Sequence, residues 1–370
     1  MDWNRPGKLL RPNPDWEEDL FLTCVVGPVE RARLKAYVED VKQKKPRKPC
    51  YCQDGSPGVA PLMTLNNGRT IPSLGLGTFI GYDYQGVPLP ITTYDTRRAV
   101  ETAIDAGYRL FDTAYKYKNE DQVGQAIKNK IAEGVIRRSD VFVITKLSNH
   151  CHAEGAVIPA LRRSLQLLEL DYVDLYLIHW PVGLRRDGSY DETDYLDTWK
   201  GMIEARARGL TKSIGVSNFN QHQIDRIISL SKMKPAAVQI EVNLNIQQHS
   251  LIAFCHSHDI AVIAYTPFGS LFHRRAAYGA PPPRTDTPVL RRIADKHHKT
   301  VPQIVLRYLV ELGVIPIPKS VTPKNIEMNI EVFDFKLTRE EKDVLRDFER
   351  NYRTRNIKFW KDSPHYPFEK

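Results

Sequence analysis

From Leu62 onward the chain alternates between two apolar rhythms. Short runs are apolar at nearly every position: residues 74–79, 109–114, 141–147, 173–180, 213–219, 236–242, 261–267 and 314–318. Runs of this length and composition predict strands buried on both faces, as in a parallel sheet. Between them, apolar residues recur at helical spacing. Residues 93–106 are apolar at 99, 100, 103 and 104, and residues 119–133 at 123, 126, 127 and 131. The same period predicts helices over 155–168, 194–207, 221–230, 249–256 and 301–312. A last helix, 323–332, follows the final strand, with Thr322 placed to cap its start.

Eight strand-then-helix units over about 250 residues predict a (β/α)8 barrel. A doubly wound open sheet is the competing α/β arrangement. Against it, no G-x-G-x-x-G follows any strand, and the pair Gly75 and Gly77 lacks the third glycine. Ahead of the first strand, Asn67-Gly68 between apolar runs predicts a hairpin with a type I′ turn, placed to plug the N-terminal mouth of the barrel. Two extra helices are predicted over 288–297 and 338–350.

Residues 1–61 follow neither rhythm. They hold seven prolines up to Pro57, charge runs and one short amphipathic stretch at 30–41. The expected organisation is a flexible extension, 1–61, before a barrel, 62–370. Its basic cluster (Lys42, Lys44, Lys45, Arg47, Lys48) reads as a solvated linker, with a nuclear-localisation or nucleic-acid patch as the sharper alternative.

The apolar fraction is 42% and the charged fraction 26%, both ordinary for a globular chain. No apolar run approaches the ~20 residues of a membrane span, and the early apolar stretch follows acidic rather than basic residues, unlike a signal peptide. Five scattered cysteines do not make a disulfide framework, so a reduced cytoplasmic setting is expected. Lys and Arg number 53 against 44 Asp and Glu, a net charge of +9. That balance suits anionic small molecules and does not imply nucleic acid.

In a barrel of this kind, chemistry gathers where strands end. The predicted strand ends carry Asp112 and Tyr117, Lys146, His179 and Trp180, Ser217 and Asn218, Gln239 and Glu241, then Tyr265 and Thr266. A mouth without function would be apolar at most of these positions. A tyrosine is a weak acid, with a pKa near ~10, unless a cation favours its anion. Lysine can do that and aspartate can hold the lysine, while histidine offers a second donor to a substrate oxygen.

Several ordered blocks resemble the aldo-keto reductases over 62–370. They are Gly107 to Ala114 (GYRLFDTA) with Tyr117 and Asn119-Glu120, Ile144-Thr145-Lys146-Leu147, Asp174 to Pro181 (DLYLIHWP), Gly215-Val216-Ser217-Asn218-Phe219, and Ile315 to Pro323 (IPIPKSVTP). The resemblance implies metal-free reduction of a small-molecule carbonyl with a nicotinamide cofactor. It implies Tyr117 as general acid, Lys146 lowering its pKa, Asp112 pairing with Lys146, and His179 orienting the carbonyl. Ser217, Asn218 and Gln239 would hold the nicotinamide carboxamide and Tyr265 would stack on its ring. Thr266, Phe268 and Ser270 would start the loop over the pyrophosphate. Lys319, Ser320, Val321 and Thr322 would meet the adenosine ribose and a 2′-phosphate, with Thr78, Asp112 and Asn329 completing the cofactor set. Phe79, His179 and Trp180 would face the substrate in an aromatic pocket with Phe272, Phe359 and Trp360.

NADPH-preferring members carry an arginine where this chain has Asn325 and a glutamate where it has Met328. Lys319 remains, so NADPH is expected, with NADH as a second cofactor. A monomer is the family default. Three rival readings stand beside this one. Lys146 could be a Schiff-base lysine, His150 and His152 could bind metal, and the chain could be a cofactor-holding binding or regulatory subunit with weak reductase activity. Glu241 is expected either at the adenine amino group or in a salt bridge at the barrel rim, the former favoured.

Overall fold

The computed structural model describes residues 59–81, 95–231, 233–273, 276–355 and 357–368. Most of the 1–61 extension, including its basic cluster and Cys50 to Cys52, lies outside them. So do most of the loop at 80–90 and the start of the first predicted helix. The described chain already packs at its beginning: Val59 N–H donates to Gly107 O at 3.1 Å, and Ala60 is buried in the core.

A hairpin, β1 (Leu62–Thr64) and β2 (Thr70–Pro72), comes first. Then eight strands run parallel: β3 (Leu76–Gly77), β4 (Leu110–Asp112), β5 (Phe142–Leu147), β6 (Val173–Ile178), β9 (Thr211–Ser217), β10 (Ala237–Glu241), β11 (Ala261–Tyr265) and β12 (Ile315–Pro316). Every predicted strand is present, most of them trimmed. The last is short because Pro316 and Pro318 have no N–H to give a ladder. Their carbonyls still accept, and this closes the barrel. Gly75 N–H donates to Pro316 O and Gly77 N–H to Pro318 O, each at 3.1 Å. A Cβ on Gly77 would lie 2.8 Å from Ile317 O, so the seam requires glycine there.

Helices α1 (Asp95–Asp105), α2 (Glu120–Ala132), α3 (Glu154–Leu168), α4 (Tyr195–Ala207), α5 (Gln221–Leu230), α6 (His249–Ser257), α8 (Val301–Glu311) and α9 (Pro323–Ile330) surround the barrel. The two extra helices are α7 (Pro288–Lys296) and α10 (Arg339–Arg346). Thr338 caps α10 in a capping box with Glu341. Thr322 does occupy the N-cap position of α9, but its hydroxyl caps nothing. Its carbonyl instead accepts from Asn325 and Ile326 N–H.

Met63, Leu65 and Ile71 of the hairpin pack with the inward residues Leu110, Phe142, Ile144, Leu175 and Ile263. The hairpin therefore plugs the lower mouth. Its turn is not type I′. Only Gly68 has positive φ, at 81°, and Gly68 N–H donates back to Leu65 O, giving the wider loop with a bulge glycine. The two asparagines point elsewhere: Asn66 Nδ2 donates to Pro235 O and Asn67 Nδ2 to Ser213 Oγ, tying the plug to the barrel floor. A second small hairpin, β7 (Gly183–Leu184) and β8 (Tyr190–Asp191), follows β6. Among the described residues no helix is long and apolar enough to cross a membrane.

Candidate active site

Asp112 is the last residue of β4 and Lys146 the fifth of β5, on adjacent parallel strands. Both side chains are buried, and Lys146 Nζ donates to both carboxylate oxygens at 2.7 Å and to Thr113 O at 2.9 Å. Three acceptors satisfy its three N–H bonds, the condition for keeping an ammonium in the interior. Burial pushes the Lys146 pKa down, while Asp112 and then Glu120 oppose that push. Gln239 Nε2, on β10 four strands from β4, donates to Asp112 Oδ2 at 2.7 Å.

Tyr117 sits on a single helical turn (Tyr115–Tyr117) that leaves β4. The turn ends at Lys118, whose φ of 58° is left-handed. Behind it, buried Asn119 binds the strand ends together. Its Nδ2 donates to Thr78 O at 2.8 Å and its Oδ1 accepts from Thr113 Oγ1 at 3.1 Å. Thr78 Oγ1 donates in turn to Asp112 O at 2.9 Å. Lys146 Nζ lies 4.8 Å from the centre of the Tyr117 ring.

His179 follows β6, and its ring is 5.7 Å from that of Tyr117 and edge-on to it. Burial holds its pKa well below the ordinary 6.5, with the charges of Lys146 and Lys116 acting the same way. The imidazole is therefore neutral at pH 7 and has one N–H to donate. Phe79 lies 5.0 Å from Tyr117, and Trp180 stacks on His179 at 6.4 Å, ring centre to ring centre.

The three predicted carboxamide contacts and the predicted stacking residue Tyr265 adjoin this cluster. Asn218 takes left-handed backbone, φ 62°, and its Nδ2 donates to His179 O and Ser217 Oγ. Tyr265 Oη donates to Asn218 Oδ1 at 2.7 Å. Thr266, also left-handed, opens the loop after β11, with Phe268 packed on the core and Ser270 buried. On the side of the seam, Thr78 shares a narrow cleft with Lys319, Ser320 and Val321. Val321 and Thr322 are exposed at the start of α9, and Asn329 is buried further along it. Amide groups at one end and a lysine with hydroxyls at the other fit a carboxamide and a phosphorylated ribose.

Some expectations do not hold. Phe359 is 71% exposed and Phe272 packs edge-on against Phe268, whereas Trp360 packs edge-on against Trp180 at 5.6 Å. Glu241 accepts hydrogen bonds from the C-terminal segment. Its Oε1 accepts from Thr354 N–H at 2.9 Å and Thr354 Oγ1 at 2.5 Å, and its Oε2 from Arg355 N–H at 3.1 Å. It anchors the tail, with a single bond on Oε2. His150 Nδ1 lies 3.0 Å from Arg185 O, while His152 is buried. Among the described residues no three His, Cys, Asp or Glu side chains gather as metal ligands would. Lys116 and Arg355, outside the expected site set, both stand beside the aromatic walls.

A family model, the Aldo/keto reductase family, matches residues 73–349. The aldo-keto reductase AKR2E4 of Bombyx mori is 50% identical over 308 residues, covering 83% of this chain and 98% of that protein. Aldo-keto reductase family 1 member D1 of Mus musculus is 40% identical over 319 residues, 83% of this chain and 96% of its own length. The crystal structure of Bombyx mori AKR2E4 in complex with NADP superposes with a TM-score of 0.79 over 84% of this chain and 99% of that one.

Proposed function

The chain belongs to the aldo/keto reductase family, and from that footing we propose that it reduces aldehydes or ketones to alcohols with NADPH, Tyr117 giving the proton. Bound along the carboxamide contacts, the β11 loop and the Lys319 segment, NADPH supplies the hydride. Ser217, Asn218 and Gln239 hold the carboxamide end, Tyr265 offers its ring, and Lys319 with Ser320 and Thr322 meets the 2′-phosphate. The NADP and NADPH complexes of the silkworm relatives support this choice. With Asn325 in place of a second cation, NADH is a weaker alternative.

The bonding of Lys146 carries the reading. A buried ammonium held by Asp112 and Thr113 puts positive charge 4.8 Å from the Tyr117 ring. That charge favours the tyrosinate, so the hydroxyl releases its proton more readily to the oxygen that gains charge. Neutral His179 donates its one N–H to the same oxygen and fixes the angle of the carbonyl. Phe79 and Trp180 shield the centre from water on two sides. The same buried ion pair argues against a Schiff-base role, which needs a neutral amine facing the substrate. The test is loss of NADPH absorbance across a panel of aldehydes and ketones, with the alcohol identified. An alcohol formed in step with NADPH loss is expected. No loss with any carbonyl would refute the proposal.

A further inference from the structure

Three positions beyond Tyr117 lies a carboxylate that the reaction as derived above does not use. Glu120 is the first residue of α2 and is only 2% exposed. Its Oε1 accepts from Thr145 Oγ1 at 2.6 Å, and its Oε2 accepts from Ser164 Oγ on α3 at 3.2 Å. Neither partner carries a charge. Burying a carboxylate is costly, and two neutral hydroxyls are modest compensation.

The bond to Thr145 joins two parts of the site. Thr145 precedes Lys146 on β5 and stands opposite Tyr176 of β6. Successive strand residues face opposite sides, so Lys146 points into the mouth and Thr145 points out to the helices. The Glu120–Thr145 bond therefore clamps the exit of the Tyr117 turn to the strand that carries Lys146. Asn119, one residue earlier, clamps the same exit to Thr78 and Thr113. The charges line up as well. Lys146 meets Asp112 from β4 and feels Glu120 across β5, with the His179 ring and the Tyr117 ring on its other sides. Glu120 feels Lys146 and Lys118, and it lies near the buried Tyr176, whose hydroxyl burial keeps neutral. Burial raises the Glu120 pKa, while Thr145, Ser164 and the two lysines oppose that rise.

Resting on the reductase reading above, we propose that Glu120 is a positioning residue for the reduction. Through Thr145 it sets how β5 presents Lys146 to Tyr117, and it supplies that ammonium with a second negative charge behind Asp112. The two roles separate by substitution. Glutamine has nearly the same shape, its oxygen still accepts from Thr145, and its NH2 can donate to Ser164 Oγ. Glu120→Gln thus removes the charge and keeps the clamp. Thr145→Val removes the clamp and keeps the charge, and Thr145→Ser restores the hydroxyl.

The test is a kcat–pH profile for each variant, beside an NMR titration of the Lys146 ammonium and the NADPH dissociation constant. In Glu120→Gln, Lys146 should lose its proton about one pH unit lower, and the alkaline fall of kcat should move down with it. In Thr145→Val, kcat should drop about tenfold at every pH with NADPH affinity kept, and Thr145→Ser should recover it. A Glu120→Gln enzyme with the wild-type profile and Lys146 titration overturns the charge role. A Thr145→Val enzyme with wild-type kcat overturns the clamp. Should Glu120→Gln not fold, Glu120→Asp keeps the charge on a shorter arm, so kcat should fall with the alkaline limb in place. A displaced limb with kcat intact would then overturn the proposal. If the wild type reduces no carbonyl, the reductase reading fails by itself, and the Lys146 titration still decides whether Glu120 acts on the ammonium.

Discussion

Replacing Asp112 by asparagine probes the site where its geometry is most constrained. Asp112 Oδ1 accepts from Lys146, and Oδ2 accepts from both Lys146 and Gln239. Asparagine has one oxygen and one NH2, so either orientation turns a donor toward Lys146. The better orientation keeps the oxygen at the Oδ2 position and leaves one donor facing another. Lys146, with its side chain fully buried, also loses its counter-charge. Breaking a buried pair by removing one partner costs about 3–5 kcal/mol. For about 300 ordered residues at ~2.1 cal/mol/K each, the unfolding entropy is about 0.6 kcal/mol/K, which converts that cost to a Tm drop of roughly 5–8 °C. Burial already lowers the Lys146 pKa and Asp112 opposes it, so the variant's lysine should lose its proton at a lower pH. Residual kcat should therefore fall as pH rises, over a window where the wild type stays flat. Differential scanning calorimetry and a kcat–pH profile measure both effects. A Tm within a degree of wild type, with an unchanged profile, would refute the argument that this pair supports the tyrosine.

Lys319→Met should weaken NADPH by about 10–100-fold and NADH much less, whereas Asn325→Arg should tighten NADPH selectively; fluorescence titration of both cofactors decides, and equal weakening would move the 2′-phosphate elsewhere. Burial holds His152 at a pKa of about 4 against an ordinary 6.5, so the unfolded chain takes its proton first. The stability this gives is present in full above pH 6.5 and is lost as pH falls toward about 4, a total of about 3 kcal/mol. Urea unfolding at pH 7 and pH 5 should show His152→Leu less sensitive to pH than the wild type; parallel slopes would count against it. Asn119→Ala removes the bonds to Thr78 and Thr113 behind the catalytic turn, so kcat should fall at least tenfold while NADPH affinity changes little, and an unaltered kcat would make Asn119 a packing residue only.

The barrel was legible because its strands are apolar on both faces and its helices keep a strict period, both local properties of the chain. The residues of the tetrad were legible as strand-end types, and their spacing along the sequence let them be matched block by block. What escaped was decided by partners far along the chain. Glu241 meets Thr354, 113 residues later, and no local pattern announces that bond. Asn67 looked like a type I′ turn residue until Ser213, 146 residues away, drew its side chain off. The tail's aromatics could be counted but not aimed: Trp360 turns in against Trp180, and its neighbour Phe359 turns out to solvent. Nothing local marks Lys116 or Arg355, since what sets them apart is the rings they sit against.

The central claim, that Tyr117 gives the proton during NADPH-dependent carbonyl reduction, is met most directly by Tyr117→Phe. The ring that packs on Phe79 and lies edge-on to His179 is kept, and only the hydroxyl goes. Stopped-flow measurement of NADPH oxidation with saturating aldehyde, beside the NADPH dissociation constant of the same variant, separates chemistry from binding. The account predicts a rate lower by ~10²–10⁴-fold with cofactor affinity unchanged. A variant that oxidises NADPH at near the wild-type rate would contradict it.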